Sequence, residues 1–161
     1  MRLATVALAA LALLPACKST GNEAGPTSAI DASMPSNLNL GAFSLSLSVK
    51  DIAMSQAFYE KLGFEAVGGV PAQNWLIMRN GATTIGLFQG LFPKNTLTFN
   101  PGWNAAAQPV TGSFTDVRDI QRQLREAGLA LTSAADEKST GPASLMLIDP
   151  DGNPILVDQH R

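Results

Sequence analysis

Residues 44–51, "SLSLSVKD", alternate serine with an apolar side chain and then end on an aspartate. In an extended chain Leu45, Leu47 and Val49 lie on one face and the serines on the other, which is typical of a strand with one buried face. Asp51 follows, and aspartate is among the residues that best begin a helix. The stretch therefore predicts a strand that leads directly into a helix. It leaves open whether the serine face meets solvent or a pocket.

The rest of the chain predicts the same order of elements twice. The first half gives a helix from Asp51 to Leu62 and further strands, and the second half gives a strand, a helix and three strands. The predicted strands are 43–49, 64–67, 75–79, 83–89, 110–114, 129–132, 144–148 and 154–158, and the second helix is 119–127. "VKDI" at 49–52 and "VRDI" at 117–120 mark the two strand–helix junctions. Two βαβββ units are the interpretation that this order favours.

Composition limits the classes of function. The chain has 161 residues, of which 45% are hydrophobic, so one domain with a sizeable core is expected. Its formal charge is −2 and its Lys and Arg residues are scattered, which excludes the basic patch that nucleic-acid binding requires.

The first residues predict export. Arg2 precedes the apolar run "LATVALAALALL", which is too short to span a bilayer and fits the core of a signal peptide. "LLPAC", ending at Cys17, resembles the lipobox of bacterial lipoproteins, and this resemblance implies cleavage before Cys17 and its lipidation. The alternative is an ordinary signal peptide with an incidental cysteine. We expect a signal peptide at 1–16, a lipidated cysteine and flexible tether at 17–40, and a domain at 41–161.

Localisation follows from the lipobox resemblance. Lys18, rather than aspartate, follows the cysteine. By analogy with bacterial lipoprotein sorting, this favours anchoring by the N-terminal lipid in the cell envelope, at the outer membrane and facing the periplasm.

Two segments carry a resemblance to a known family. "LSLSVKDIAMSQAFYEKLGFEAVG" at 45–68 and "LMLIDPDGNPILV" at 145–157 resemble the opening and closing signatures of the vicinal oxygen chelate superfamily. That superfamily includes glyoxalase I, extradiol dioxygenases, and fosfomycin- and bleomycin-resistance proteins. The resemblance implies an α+β fold of two βαβββ modules, at about 42–90 and 110–160. Their curved mixed sheets would surround a cavity.

The resemblance also shows where metal ligands would stand. Metal-dependent relatives place His or Glu on inward-facing strand positions, which here correspond to Ser44, Gly86, Gly112 and Leu156. Two glycines and a leucine carry no donor atom, and a serine hydroxyl is a poor ligand. We therefore expect no metal and no other cofactor, and the standard glyoxalase and dioxygenase mechanisms are not expected.

The long connector "GLFPKNTLTFNPGWNAAAQP", 90–109, contains the best candidates for ligand contact. Such loops are often functional, and Phe99, Asn100 and Trp103 could close the mouth of a pocket. The alternative is that the two aromatic residues only seal a sheet edge. The remaining ligand-binding candidates are Ser44, Gln73, Trp75 and Gln89.

The single histidine, His160, lies next to the last residue, with Asp158 two positions before it. We interpret both as part of a frayed, solvated tail. Whether they bind a nonstandard metal together with Gln89 is left open.

Three functions remain at this stage. The leading hypothesis is a lipid-anchored envelope protein that binds a neutral or weakly polar small molecule without the family's metal. The second is a metal-dependent lyase or isomerase of the same superfamily with a displaced metal site, and the third is a structural or interaction module. Antibiotic-sequestering relatives usually work as dimers whose pockets straddle two chains, so the resemblance also implies a homodimer.

Overall fold

The computed structural model describes residues 38–161. The predicted signal peptide, Cys17 and all but the end of the tether lie outside these residues. No helix within residues 38–161 is long and apolar enough to cross a membrane.

One curved, unclosed sheet of eight strands forms the domain, with two α-helices packed on it. The strands are β1 (Ala42–Val49), β2 (Glu65–Val70), β3 (Trp75–Asn80), β4 (Thr83–Gln89), β5 (Thr96–Asn100), β6 (Leu131–Ser133), β7 (Ala143–Ile148) and β8 (Pro154–Gln159). The helices are α1 (Ile52–Lys61) and α2 (Val117–Glu126), and a short 3₁₀ turn spans Pro71–Gln73. The predicted α+β fold class is confirmed.

The strand order is β2-β3-β4-β1-β5-β8-β7-β6, which repeats one arrangement on each side of the centre. In each half, the first strand pairs in parallel with the last, β1 with β4 and β5 with β8. The two first strands pair with each other in antiparallel register, so that Ser44 lies opposite Thr98. The two βαβββ units are therefore joined into one sheet through β1 and β5.

The prediction of a strand at 110–114 is wrong. The second unit begins instead with β5, inside the segment that the sequence analysis treated as a connector. Residues 101–116 then form a loop between β5 and α2. Gly112 adopts a φ of 100°, a left-handed conformation that interrupts an extended chain. The second unit is thus longer than predicted, and the loop 101–116 lies within it, between its first strand and its helix.

Equivalent side chains begin the two helices. Asp51 caps α1 as predicted, since its Oδ1 accepts from Met54 N at 2.8 Å. Asp116, not Asp119, caps α2 and accepts from Arg118 N at 2.8 Å. A glutamine side chain adds a second acceptor at the start of each helix. Ile52 N donates to Gln89 Oε1 at 2.9 Å, and Val117 N donates to Gln159 Oε1 at 2.7 Å. The ends of β4 and β8 therefore fix where the helices start.

The core lies between the helices and one face of the sheet. One cluster contains Ile52 of α1 with Leu76, Met78, Ile85 and Leu87. The other contains Val117, Ile120 and Leu124 of α2 with Ala135, Leu145, Leu147 and Val157. Leu45, Leu47 and Val49 pack against the first cluster, as the alternation in β1 predicted. The serine face of β1 is thereby turned to the other side of the sheet.

Candidate functional site

A cavity of about 410 Å³ lies on the sheet face opposite the helices. Strands β1, β3, β4, β5 and β8 contribute to its wall, and the loop 101–116 covers part of it. Its volume falls within the range of about 300–1,000 Å³ found for small-molecule sites. Both halves of the domain therefore contribute to one candidate site.

The serine face of β1 forms part of the cavity wall. Ser44 and Ser46 both line it, and the hydroxyl of Ser46 bonds that of Thr98 at 2.8 Å. Asn100 Nδ2 donates to Ala42 O at 3.1 Å and to Ser44 Oγ at 3.4 Å. The serines thus meet hydroxyl and amide groups of β5.

Aromatic side chains line the part of the wall that comes from the first unit. Trp75, Phe88 and Phe92 face the cavity, together with Ile77. Phe88 and Phe92 pack edge to face, with ring centroids 4.9 Å apart and an angle of 83° between the rings. Such pairs add to the stability gained from burial alone, so these rings form a defined apolar wall.

Trp103 lies on the loop that covers the cavity. Its backbone N–H donates to Asn100 O at 3.2 Å, and it forms an isolated antiparallel bridge with Pro109. Its ring meets His160 edge to face, with centroids 5.9 Å apart. The indole N–H is buried and has no hydrogen-bond acceptor among the described residues.

Asp158 and His160 also line the cavity. Strand β8 continues through Gln159, so residues 156, 158 and 160 point to the same side of the sheet. His160 Nε2 lies 3.2 Å from Asn100 Oδ1 and 3.6 Å from Asp158 Oδ2. The segment was predicted to be a frayed, solvated tail, whereas the half-exposed His160 side chain contacts Asn100 and Trp103.

Three of the sequence candidates do not line the cavity. Gln73 lies in the 3₁₀ turn, where its Oε1 is 3.5 Å from the indole nitrogen of Trp75. Gln89 accepts from the first N–H of α1, and Phe99 packs against the core cluster around α2. Ser44, Trp75, Asn100 and Trp103 are the candidates that the structure brings together.

Four residues of the cavity wall were not predicted as ligand contacts: Phe88 and Phe92 were not singled out, and Asp158 and His160 were considered only for a nonstandard metal site with Gln89. Strand alternation could have found three of them. Gly86 and Leu156 had been assigned to inward-facing positions, so Phe88, Asp158 and His160 follow at even spacing on the same faces. Phe92 lies beyond the end of β4, where alternation gives no prediction.

The positions that correspond to the family's metal ligands do not fit a metal. Gly112 is in the loop 101–116 and does not line the cavity, and the residue of β5 that pairs with both Ser44 and Leu156 is Thr98. A Cβ at Gly86 would lie 2.4 Å from Cε2 of Phe88, so the Phe88 ring occupies the space into which a ligand side chain would project. No group of three or more His, Cys, Asp or Glu residues within 38–161 is placed to hold a metal ion.

Known structures share this fold. The NAD-dependent benzaldehyde dehydrogenase from Legionella pneumophila is 18% identical, with a TM-score of 0.55 over 74% of this chain and 99% of its own. A glyoxalase/bleomycin resistance protein/dioxygenase superfamily member from Vibrio splendidus 12B01 is 19% identical, with a TM-score of 0.50 over 73% and 97%. Hypothetical protein BH1468 from Bacillus halodurans C-125 is 13% identical, with a TM-score of 0.51 over 73% and 92%. At these identities the likeness concerns the fold alone.

The sequence itself identifies the family. No curated protein matches the chain significantly. The sequence profile of the Glyoxalase/Bleomycin resistance protein/Dioxygenase superfamily, however, matches residues 41–157, which span the whole sheet except its last residues. By this match, and with the paired βαβββ units around one cavity, the chain belongs to the glyoxalase/bleomycin resistance/dioxygenase superfamily.

Proposed function

We propose that this domain binds a small organic molecule in the cavity without using a metal ion. The observation that carries the proposal is the position of Phe88. Its ring lies over Gly86, where a metal-dependent relative would project a ligand, and it adds an aromatic surface to the cavity wall. A cavity that is mostly apolar and holds a few fixed polar groups is typical of a binding site for small molecules.

Polar groups around Asn100 give this site an orientation. The Asn100 amide is held by Ala42 O and Ser44 Oγ, and its oxygen lies near His160. Groups held in place in this way lose little freedom when a ligand binds, so they can select its orientation at low cost. Sequestration of a ligand is the activity that such an arrangement supports.

The first experiment is metal analysis of the purified protein, followed by chelation. Because the positions of the family's metal ligands lack strong donor side chains, we expect less than stoichiometric metal and an unchanged thermal midpoint after chelator treatment. A large fall in the midpoint that zinc, nickel, manganese or iron restores would contradict the proposal. That result would favour the lyase or isomerase hypothesis with a displaced metal site.

A screen of small molecules by thermal shift tests binding itself. A ligand that binds only the folded protein raises the midpoint, by about 2.7 kcal/mol of added stability at 100 times its dissociation constant. Shifts that disappear in a Trp103→Ala variant would assign the ligand to this cavity. If a broad set of aromatic compounds gives no shift, the structural or interaction module becomes the better reading.

We further propose that the domain is anchored to the cell envelope through lipid on Cys17, at the outer membrane and facing the periplasm. The support is the sequence "LLPAC" after an apolar run, followed by Lys18. Labelling of cells with a fatty-acid analogue should mark the wild type and not a Cys17→Ala variant. Equal labelling of the two would contradict lipidation.

Self-association is also part of the proposal. Phe43 at the cavity and Met54 and Phe58 on α1 are 53%, 73% and 58% exposed, and exposed apolar patches often mark protein–protein contacts. A homodimer would cover some of this apolar surface. Sedimentation analysis of the purified protein should therefore give twice the monomer mass, and a monomer at high concentration would contradict the dimer.

A further inference from the structure

One acidic side chain and no Lys or Arg are among the described residues that line the cavity. Among the described residues that form its wall, Asp158 carries a carboxylate and His160 is the one other side chain that can carry charge. No Lys or Arg within residues 38–161 lines the cavity. The wall itself therefore carries the Asp158 carboxylate without a Lys or Arg, and the guanidinium of Arg79 lies outside the wall, where it donates to Ala106 O at 2.7 Å.

The carboxylate of Asp158 is left without the partners that other aspartates of this domain have. Its side chain is 35% exposed and accepts no hydrogen bond from residues 38–161. The nearest polar group is His160 Nε2, at 3.6 Å, which is also close to the oxygen of Asn100. By contrast, Asp116 and Asp149 each accept several hydrogen bonds. Asp158 is thus available to a ligand.

Aromatic side chains line the same cavity. Trp103 is packed against His160, and Trp75, Phe88 and Phe92 line the wall that the first unit contributes. The face of an aromatic ring attracts a cation, and Trp does so best. A carboxylate together with several aromatic rings is a surface that favours an organic cation over a neutral molecule of the same shape.

An anionic ligand fits this surface poorly. It would bring its charge next to the Asp158 carboxylate, with no Lys or Arg in the described cavity wall to offset the repulsion. The unpartnered indole N–H of Trp103 could donate to a neutral oxygen of the ligand without changing this balance.

We propose that the cavity selects organic cations that carry an aromatic or apolar body. The ammonium group of the ligand lies near Asp158 and Trp103, and its body lies against Trp75 and Phe88. This inference rests on the proposed function, because it names the class of ligand for the same cavity.

Three probes of nearly equal shape test the sign of the charge. They are (3-hydroxyphenyl)trimethylammonium, 3-tert-butylphenol and 3-hydroxybenzenesulfonate, which are cationic, neutral and anionic and share one phenol ring. Isothermal titration with the unmodified protein at low salt should rank them in that order. A cation–π contact with an added charge pair should make the cation bind about fivefold to tenfold more tightly than the neutral probe.

An Asp158→Asn variant tests which residue causes the preference. Its affinity for the cation should fall about threefold to fivefold, whereas its affinity for the neutral probe should stay within about twofold. Asp151→Asn is the matched control, since it makes the same change of charge at an exposed position in the turn between β7 and β8. It should leave both affinities unchanged. Thermal midpoints of the two variants check that each is folded.

The outcomes separate this inference from the proposed function. If the neutral or anionic probe binds as tightly as the cation, the selection of cations is wrong, while binding in the cavity stands. The selection of cations is also wrong if Asp158→Asn and Asp151→Asn have the same affinity for the cation, and binding in the cavity again stands. If none of the three probes binds, the selection of organic cations is wrong, and the broad thermal-shift screen decides separately whether the proposed function stands. The comparison of the probes uses the unmodified chain, so it does not depend on how any variant folds.

Discussion

Adding one methyl group at Gly86 tests whether Phe88 fills the space of the family's metal ligand. The Cβ of Gly86→Ala would lie 2.4 Å from Cε2 and 2.9 Å from Cζ of Phe88. Carbon atoms in ordinary contact are about 3.5–4.0 Å apart, so the ring must move. The backbone at Gly86 is not in the left-handed region, and alanine itself causes no strain there. Most of the cost therefore comes from the displaced ring, with a smaller part from Ile77 Cδ1, which the Cβ would meet at 3.3 Å.

The size of the effect follows from three contributions. Overpacking costs about 1–3 kcal/mol, and the edge-to-face contact with Phe92 that the ring gives up contributes about 0.5–1.5 kcal/mol. Replacing glycine by alanine within a strand recovers about 0.5–1 kcal/mol. We expect Gly86→Ala to lower the free energy of unfolding by about 1–2 kcal/mol. In a Phe88→Ala background the clash with the ring is gone, and Gly86→Ala should raise the free energy of unfolding by about 0.5–1 kcal/mol.

Urea denaturation of the four proteins in this double-mutant cycle measures the coupling. The expected coupling free energy is about 1.5–3 kcal/mol, well above the roughly 0.5 kcal/mol seen for independent sites. Gly68→Ala in β2 is a control, because its Cβ would meet Ile77 Cβ at an ordinary 3.9 Å and should cause no loss. A coupling below about 0.5 kcal/mol would show that Phe88 does not cover Gly86, and the metal site would have to be reconsidered.

Two further predictions concern the loop and the helix start. Trp103→Ala should cost only about 1–2 kcal/mol of stability, mostly the ring contact with His160, while it weakens ligand binding. Leu145→Ala, a fully buried core control, should cost about 2–5 kcal/mol, and a loss of that size for Trp103 in urea denaturation would assign it to the core instead. Burial would raise the pKa of the Asp116 carboxyl, but hydrogen bonds from Arg118 and Gln159 outweigh it and hold that pKa below its usual value. The ionised carboxylate therefore stabilises the fold above about pH 4, and this part of the stability is lost as pH falls through the lowered pKa. Urea midpoints from pH 7 to pH 3 should fall less steeply for Asp116→Asn than for the wild type, and equal slopes would contradict this role.

The sequence by itself determined the class of the fold and most of its strands. The alternation in "SLSLSVKD" and the cap at Asp51 depend on residues that are close in the chain, and local patterns specify such features. The same holds for the closing turn "DPDGN", in which Asp149 Oδ1 accepts from Asn153 N at 2.8 Å. Ser44 and Trp75 could also be assigned to the cavity, because strand alternation follows directly from the backbone.

Only the tertiary structure decided which short segment begins the second unit. "TLTFN" at 96–100 and "VTGSF" at 110–114 both alternate apolar and polar residues over five positions. The first becomes a strand because it has partners on both sides: Leu97 pairs with Leu45 of β1 and with Ile155 of β8. Pairing between residues so far apart in sequence depends on the assembled sheet, and no local pattern contains it. The same assembly brings His160 to Trp103 and places Asp158 in the wall of the same cavity.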